Sequence, residues 1–252
     1  MASNGAAEEV IVERRVCLWA AVVLIASGAW TPAAAQVPND KWEVTVAPYF
    51  MGTAMSGTTA LRGREVDVDV SASDIFSNLQ FGAMGLVVAR KGNWGLGGDA
   101  MWMALGTTVR NTNVDFNQGA FAFYGLRRLG SAADLTVGMR VNTLQGKLGF
   151  KTLGVDVSQD KTWVDPLVGL TLRTPKEHRV RLQVYTEIGG FGAGSDFTWQ
   201  IFPTLGFKLT DRFSLEVGYR WLDMDYSTGD GNDRFVYDVL TQGPVGGLAF
   251  RF

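Results

Sequence analysis

Pro244, Leu248, Phe250 and Phe252 share one parity of the closing segment, and Gly247, Ala249 and Arg251 share the other. A strand written this way has one greasy face and one that tolerates water. At the edge of a soluble sheet it would leave that face exposed and its backbone groups unpaired. Closure into a barrel within lipid removes both difficulties, because lipid covers the face and the first strand covers the edge.

The same alternation recurs along the chain, in Trp42-Val44-Val46, Leu135-Val137-Met139-Val141, Val164-Val168-Leu170-Leu172 and Phe213-Leu215-Val217-Tyr219-Trp221. The opposite parity is polar or small, as in Asp134, Thr136, Gly138, Arg140 and Asn142. A soluble β-sandwich also alternates. Here, however, the apolar faces recur strand after strand, and the single cysteine, Cys17, permits no disulfide. The expected fold is all-β: a transmembrane antiparallel up-and-down barrel of about ten strands, with eight or twelve as alternatives.

Arg14 and Arg15 precede an apolar run from Val16 to Ile25, and Ala33-Ala34-Ala35 supplies a small-residue cleavage pattern before Gln36. This predicts a cleaved secretory signal over 1–35 and a barrel domain over 36–252. The run is shorter than the ~20 apolar residues of a membrane helix. Cys17 would leave with the signal. The net charge is −2, which gives no electrostatic case for nucleic acid.

Turn-forming residues at Lys91-Gly92-Asn93, Arg128–Ser131, Thr174–Glu177 and Thr210-Asp211 predict short periplasmic turns. More polar stretches around 111–113, 151–161, 192–195 and 227–233 predict longer outer loops. Residues 56–79 form one long outer excursion. In it Glu65–Val70 alternates as a short strand, and Ser73 is the expected N-cap of a helical turn at Ser71–Phe76. That excursion either extends the wall or folds inward as a plug. Ten rings are expected in two outward girdles: Trp42, Trp94, Tyr124, Phe213 and Phe252 below, and Phe50, Trp102, Phe116, Trp199 and Trp221 above.

Trp163-Val164-Asp165-Pro166, Gly189–Gly192, Ser195–Gln200 and Gly218–Asp223, with Val66–Val70, Asp74–Leu79 and Gly243–Phe252, resemble a widespread, largely uncharacterised family of Gram-negative outer-membrane β-barrels. The resemblance covers most of the chain beyond the signal. It implies the barrel fold and a cell outer-membrane location, and no activity or site residue.

The function expected is that of a structural or surface barrel with a charge-paired interior. A narrow porin-like channel is the alternative, and a lipid- or glycan-acting enzyme a more distant one. The lumen-facing charges are Asp99, Arg140, Asp165, Arg181, Glu187, Lys208, Glu216 and Arg220. Their mixed signs suit a paired network, with Arg140, Arg181 and Arg220 each meeting a carboxylate. Leu248, Phe250 and Phe252 carry the closing-strand signal. The lone histidine, His178, falls in a periplasmic turn without a catalytic partner, and Asp165 with Glu187 is a candidate carboxylate pair for glycosidic chemistry whose spacing does not show that the two converge. Asp223, Asp225, Asp230 and Asp233 imitate a calcium loop but lack its glycine and final glutamate. No catalytic, cofactor-binding or metal residue is assigned. The expected partners are outer-membrane lipid, lipopolysaccharide and the barrel assembly machinery.

Overall fold

The computed structural model describes residues 41–61, 64–109, 112–150, 155–174 and 179–252. The expected signal over 1–35, Cys17, Gln36 and the His178 turn lie outside the described residues.

Among the described residues, twelve strands form one antiparallel sheet. In chain order they are β1 (Glu43–Met51), β2 (Ala54–Leu61), β3 (Arg64–Val70), β4 (Leu79–Lys91), β5 (Trp94–Val109) and β6 (Thr112–Arg128). The others are β7 (Ala133–Phe150), β8 (Val155–Arg173), β9 (Val180–Gly189), β10 (Phe197–Lys208), β11 (Phe213–Thr228) and β12 (Phe235–Arg251). Strands β4 to β12 follow one another around the ring, and β1 lies between β12 and β4, closing a ten-strand barrel. At the seam the backbone N–H groups and carbonyls of Val44 and Phe252 exchange hydrogen bonds of 3.2 and 2.9 Å. No open edge is left there.

The β2–β3 hairpin is a wall extension. The lower half of β12 pairs with β1, as in Val46 with Phe250. Its upper half pairs with β2, from Gln242 opposite Ala54 to Val236 opposite Ala60. Helix α1 (Ala72–Asn78) then returns the chain to β4. Its N-cap is Ser71 rather than Ser73: the Ser71 Oγ accepts from the Asp74 N–H at 3.2 Å. The helix also buries Ile75 in the barrel's apolar core, so the excursion extends the wall and contributes to the filling.

The outer connections are shorter than the polar stretches suggest, because β8 already begins at Val155 and β11 runs to Thr228. Polar residues there sit on strands that stand clear of lipid. The exception is β9, which stops at Gly189 opposite Leu167. The segment 190–196 covers the gap, and turns through positive φ at Gly190, Phe191 and Gly192.

The face that carries apolar side chains switches along the wall. In the lower part of β11, Leu215 and Val217 point outward and Ser214 and Arg220 point inward. Past Trp221, Leu222 and Met224 are buried inside, while Asp223 and Asp225 take the outer parity. On β7 Leu135, Val137 and Met139 are exposed outside, and Leu144 is buried inside further up. An apolar exterior belongs against lipid, and an apolar interior beneath a polar exterior belongs in water. Phe213–Trp221, at ~3.3 Å per residue and a tilt of ~40°, covers roughly 20–23 Å, close to the ~25 Å lipid-facing band of such barrels.

Eight of the ten girdle rings take the outward parity, including Trp42, Phe50, Trp94 and Phe252, which are exposed. Tyr124 and Phe116 do not. Tyr124 faces Gly97 on one side and Gly138 on the other. A Cβ at Gly97 would lie 2.2 Å from the Tyr124 ring, so the glycines make the inward space that the ring fills. Phe116 lies above the switch, where apolar side chains turn inward, and packs on the core.

Candidate functional site

Three levels follow one another along the barrel axis. At the loop end the interior is filled by Met51, Met55, Met101, Met103, Leu222 and Met224, with Trp163, Tyr237 and Ile75. Methionine's flexible thioether fills irregular space between rings of different size. Trp163 stacks on Tyr226 with centroids 4.3 Å apart and planes 6° from parallel.

Beneath this lies a belt of buried charge. Arg220, 2% exposed, places Nη2 2.6 Å from Asp99 Oδ2. It donates through Nη1 to the Tyr49 hydroxyl and through Nε to Gln200 Oε1, both at 2.7 Å. Tyr49 in turn donates to Asp99 Oδ1 at 2.6 Å. Arg140, 1% exposed, pairs with Glu187 and donates to Thr198 Oγ1 at 3.2 Å. Glu187 also accepts from the Tyr185 hydroxyl at 2.5 Å. Arg220 with Asp99 and Arg140 with Glu187 therefore each combine opposite charges with further hydrogen bonds, without which their burial would cost several kcal/mol.

Asp165 is buried on the same side, but its partners are neutral. Its Oδ2 accepts from Asn142 Nδ2 at 2.7 Å and from Ser195 Oγ at 3.0 Å, and its Oδ1 accepts from the Ser195 N–H at 2.6 Å. Trp163 Nε1 donates to Ser195 Oγ at 2.9 Å. This pins segment 190–196 over the gap above β9, and it commits both the carboxylate and the hydroxyl to the scaffold. Glu187 stands opposite Gly169, four residues along β8 from Asp165, and is committed to Arg140.

Below the belt the lumen widens into a vestibule of about 510 Å³ that reaches the short-turn end, where Thr174, Asp211 and Arg212 line it. Arg181 lies in its wall 3.7 Å from Glu216, which also accepts from Ser214 Oγ at 2.7 Å. Lys208 belongs to the rim: its Nζ meets Asp211 of the adjoining turn at 2.6 Å. The ammonium holds the exposed Asp211 carboxyl below its usual range.

The polar parity of its strand includes Asp134, but the lumen charges expected from the sequence include neither it nor Arg90 and Arg173. Asp134 is fully buried, 2.6 Å from Arg90 Nη1, and takes a two-pronged pair from Arg173, with Nη2 at 2.8 Å from Oδ1. All three share the inward parity of their strands near a short turn. Inward parity also carries Tyr49, Tyr124 and Tyr185, whose polar tips reach the belt or vestibule.

Among solved structures, the outer-membrane protease OmpT of Escherichia coli is similar at 10% identity, covering 87% of this chain and 99% of that one, with a TM-score of 0.51. This is the fold of an outer-membrane β-barrel. Two further neighbours are Ail, the attachment invasion locus protein of Yersinia pestis, and Neisserial surface protein A. Ail, solved with the heparin analogue sucrose octasulfate, matches at 12% identity over 86% of this chain and 100% of that one, TM-score 0.40. Neisserial surface protein A matches at 11% identity over 84% and 97%, TM-score 0.34. No protein-family model and no curated sequence matches the chain.

Proposed function

We propose that this chain is an integral outer-membrane barrel that serves as a structural surface element, closed to transmembrane flow and without catalytic chemistry of its own. The observation that carries this reading is the stacking of a side-chain-filled outer half on a belt of ion-paired buried charge. Past Met51, Met103, Leu222 and Met224 the interior is occupied by packed side chains, and the polar ones among them are engaged with one another, as Gln118 Nε2 is with the Tyr237 hydroxyl at 2.9 Å. A narrow channel would need that filling to move aside. A hydrolase would need a free nucleophile and base, whereas Ser195 and Asp165 hold one another and a loop.

In this reading the apolar exterior meets membrane lipid and lipopolysaccharide, the assembly machinery inserts the barrel, and the short turns face the periplasm. An exported precursor with a signal over 1–35 fits such a destination.

Glu187→Gln tests it. Removing the charge strands Arg140 in a desolvated site. A closed barrel should then lose more than ~1 kcal/mol of stability in urea titrations of vesicle-inserted protein, with no steady current. Unchanged stability, together with stable currents whose ion selectivity shifts, would identify a solvated channel instead.

A further inference from the structure

The vestibule below the charge belt carries more positive charge than its own carboxylates neutralise. Arg90, Arg128, Arg173, Arg181, Arg212 and Arg251 all line it. Arg90 and Arg173 share a single carboxylate, Asp134. Arg181 has Glu216 only at 3.7 Å and a long hydrogen bond of 3.4 Å to Ser214 Oγ, and Arg251 lies within electrostatic reach of Arg181 as well as of Glu216 and Glu43. Among the described residues, the Nε atoms of Arg128 and Arg181 are buried without a hydrogen-bond partner. Buried donors of this kind are ordinarily satisfied, and guanidinium groups are suited to gripping planar or tetrahedral oxyanions through two N–H bonds at once.

The space matches a ligand rather than a lone ion. About 510 Å³ falls within the ~300–1,000 Å³ of small-molecule sites. Between the arginines and the belt, apolar and aromatic side chains form part of the wall, with Ala47, Leu86, Val88 and Phe202, and Tyr124 stacked on Tyr185 at 6.3 Å. The arginines lie nearer the short-turn end.

The geometry points to a binding site for a small organic anion, gripped at its phosphate or carboxylate by Arg128, Arg181 and Arg251, with its apolar part towards the charge belt. Access is from the short-turn end, which faces the periplasm in barrels of this kind. The closed outer half makes this a dead-end receptor site. The ligand chemistry is an anionic phosphate or carboxylate group, presented either by a free solute or by a lipid headgroup.

Calorimetric titration of the refolded barrel in nonionic detergent at low ionic strength tests the site and does not depend on whether the barrel conducts. The probes are inorganic pyrophosphate, dihexanoyl phosphatidic acid and dihexanoyl phosphatidylcholine. Saturable binding of either or both of the first two is expected; pyrophosphate binding assigns a free anion as a sufficient ligand, and binding of phosphatidic acid alone assigns a lipid headgroup. The double variant Arg128→Gln/Arg251→Gln should weaken binding at least about tenfold. Arg127→Gln removes the same charge from the outer face, where the guanidinium lies over the Trp94 ring, and should leave binding unchanged. Heat-modifiable migration on gels verifies that each variant is folded. Absence of saturable binding to either anionic probe, equal binding of phosphatidylcholine, or equal loss in folded Arg127→Gln and the double variant would overturn the proposal.

Discussion

At the scale of single residues, the barrel is specified by what stands opposite each inward side chain. Tyr124 shows this best. Its parity could be read from the sequence, yet an aromatic near a short turn is the usual mark of a girdle, and that expectation placed it outside. The deciding signal lies on the neighbouring strands, in Gly97 and Gly138, and it becomes visible only once register is known. Gly97→Ala should therefore cost ~1–3 kcal/mol through collision with the ring. Gly125→Ala, where the nearest atom to an added Cβ is the Val137 carbonyl oxygen at 3.9 Å, should be nearly neutral in the same urea titration. Asp165→Ala leaves the Ser195 N–H and the Asn142 amide without their acceptor. It should destabilise by ~2–4 kcal/mol and, in limited proteolysis, expose segment 190–196 to cleavage.

At the scale of strands, alternation made the barrel legible and also set its limit. Leu248, Phe250 and Phe252 do take the outward parity of β12, and Phe250 packs against Phe213 with ring centroids 5.1 Å apart. Deleting Phe252 removes both seam hydrogen bonds to Val44 and should reduce the heat-modifiable, closed fraction after refolding. Normal yield of the closed form would count against that seam. Reading one apolar face along a whole strand, however, conceals the switch above Trp221. The sequence does carry it: Leu222-Asp223-Met224-Asp225 continues the alternation of β11 with the faces exchanged. Period-two patterning reports that a strand is two-faced, not which solvent lies on either side. The switch makes position along a strand decisive for substitutions on its outer face. Leu170→Arg and Val217→Arg, in the lipid band, should each cost ~2–4 kcal/mol, whereas Gln145→Arg, on the same outer surface of β7 but above the band, should cost no more than ~1 kcal/mol. Equal penalties at all three positions, measured by vesicle unfolding, would remove the basis for placing the lipid boundary near Trp221.

At the scale of the molecule, two different barrels share one wall. The lower one resembles a membrane barrel, apolar outside and charged inside. The upper one resembles a soluble barrel with a methionine-rich core. The mixed signs of Asp99, Arg140, Glu187 and Arg220 were readable as a set, but the pairing of Arg220 with Asp99 across the lumen depends on closure and shear, which no local pattern encodes. Closure of the outer half decides whether the barrel conducts, and single-channel recording of the refolded barrel in planar bilayers measures it. A closed outer half gives no steady unitary current at either polarity, for the native chain and for the vestibule variant Arg128→Gln/Arg251→Gln alike. Stable, ion-selective unitary currents from the native chain would contradict it.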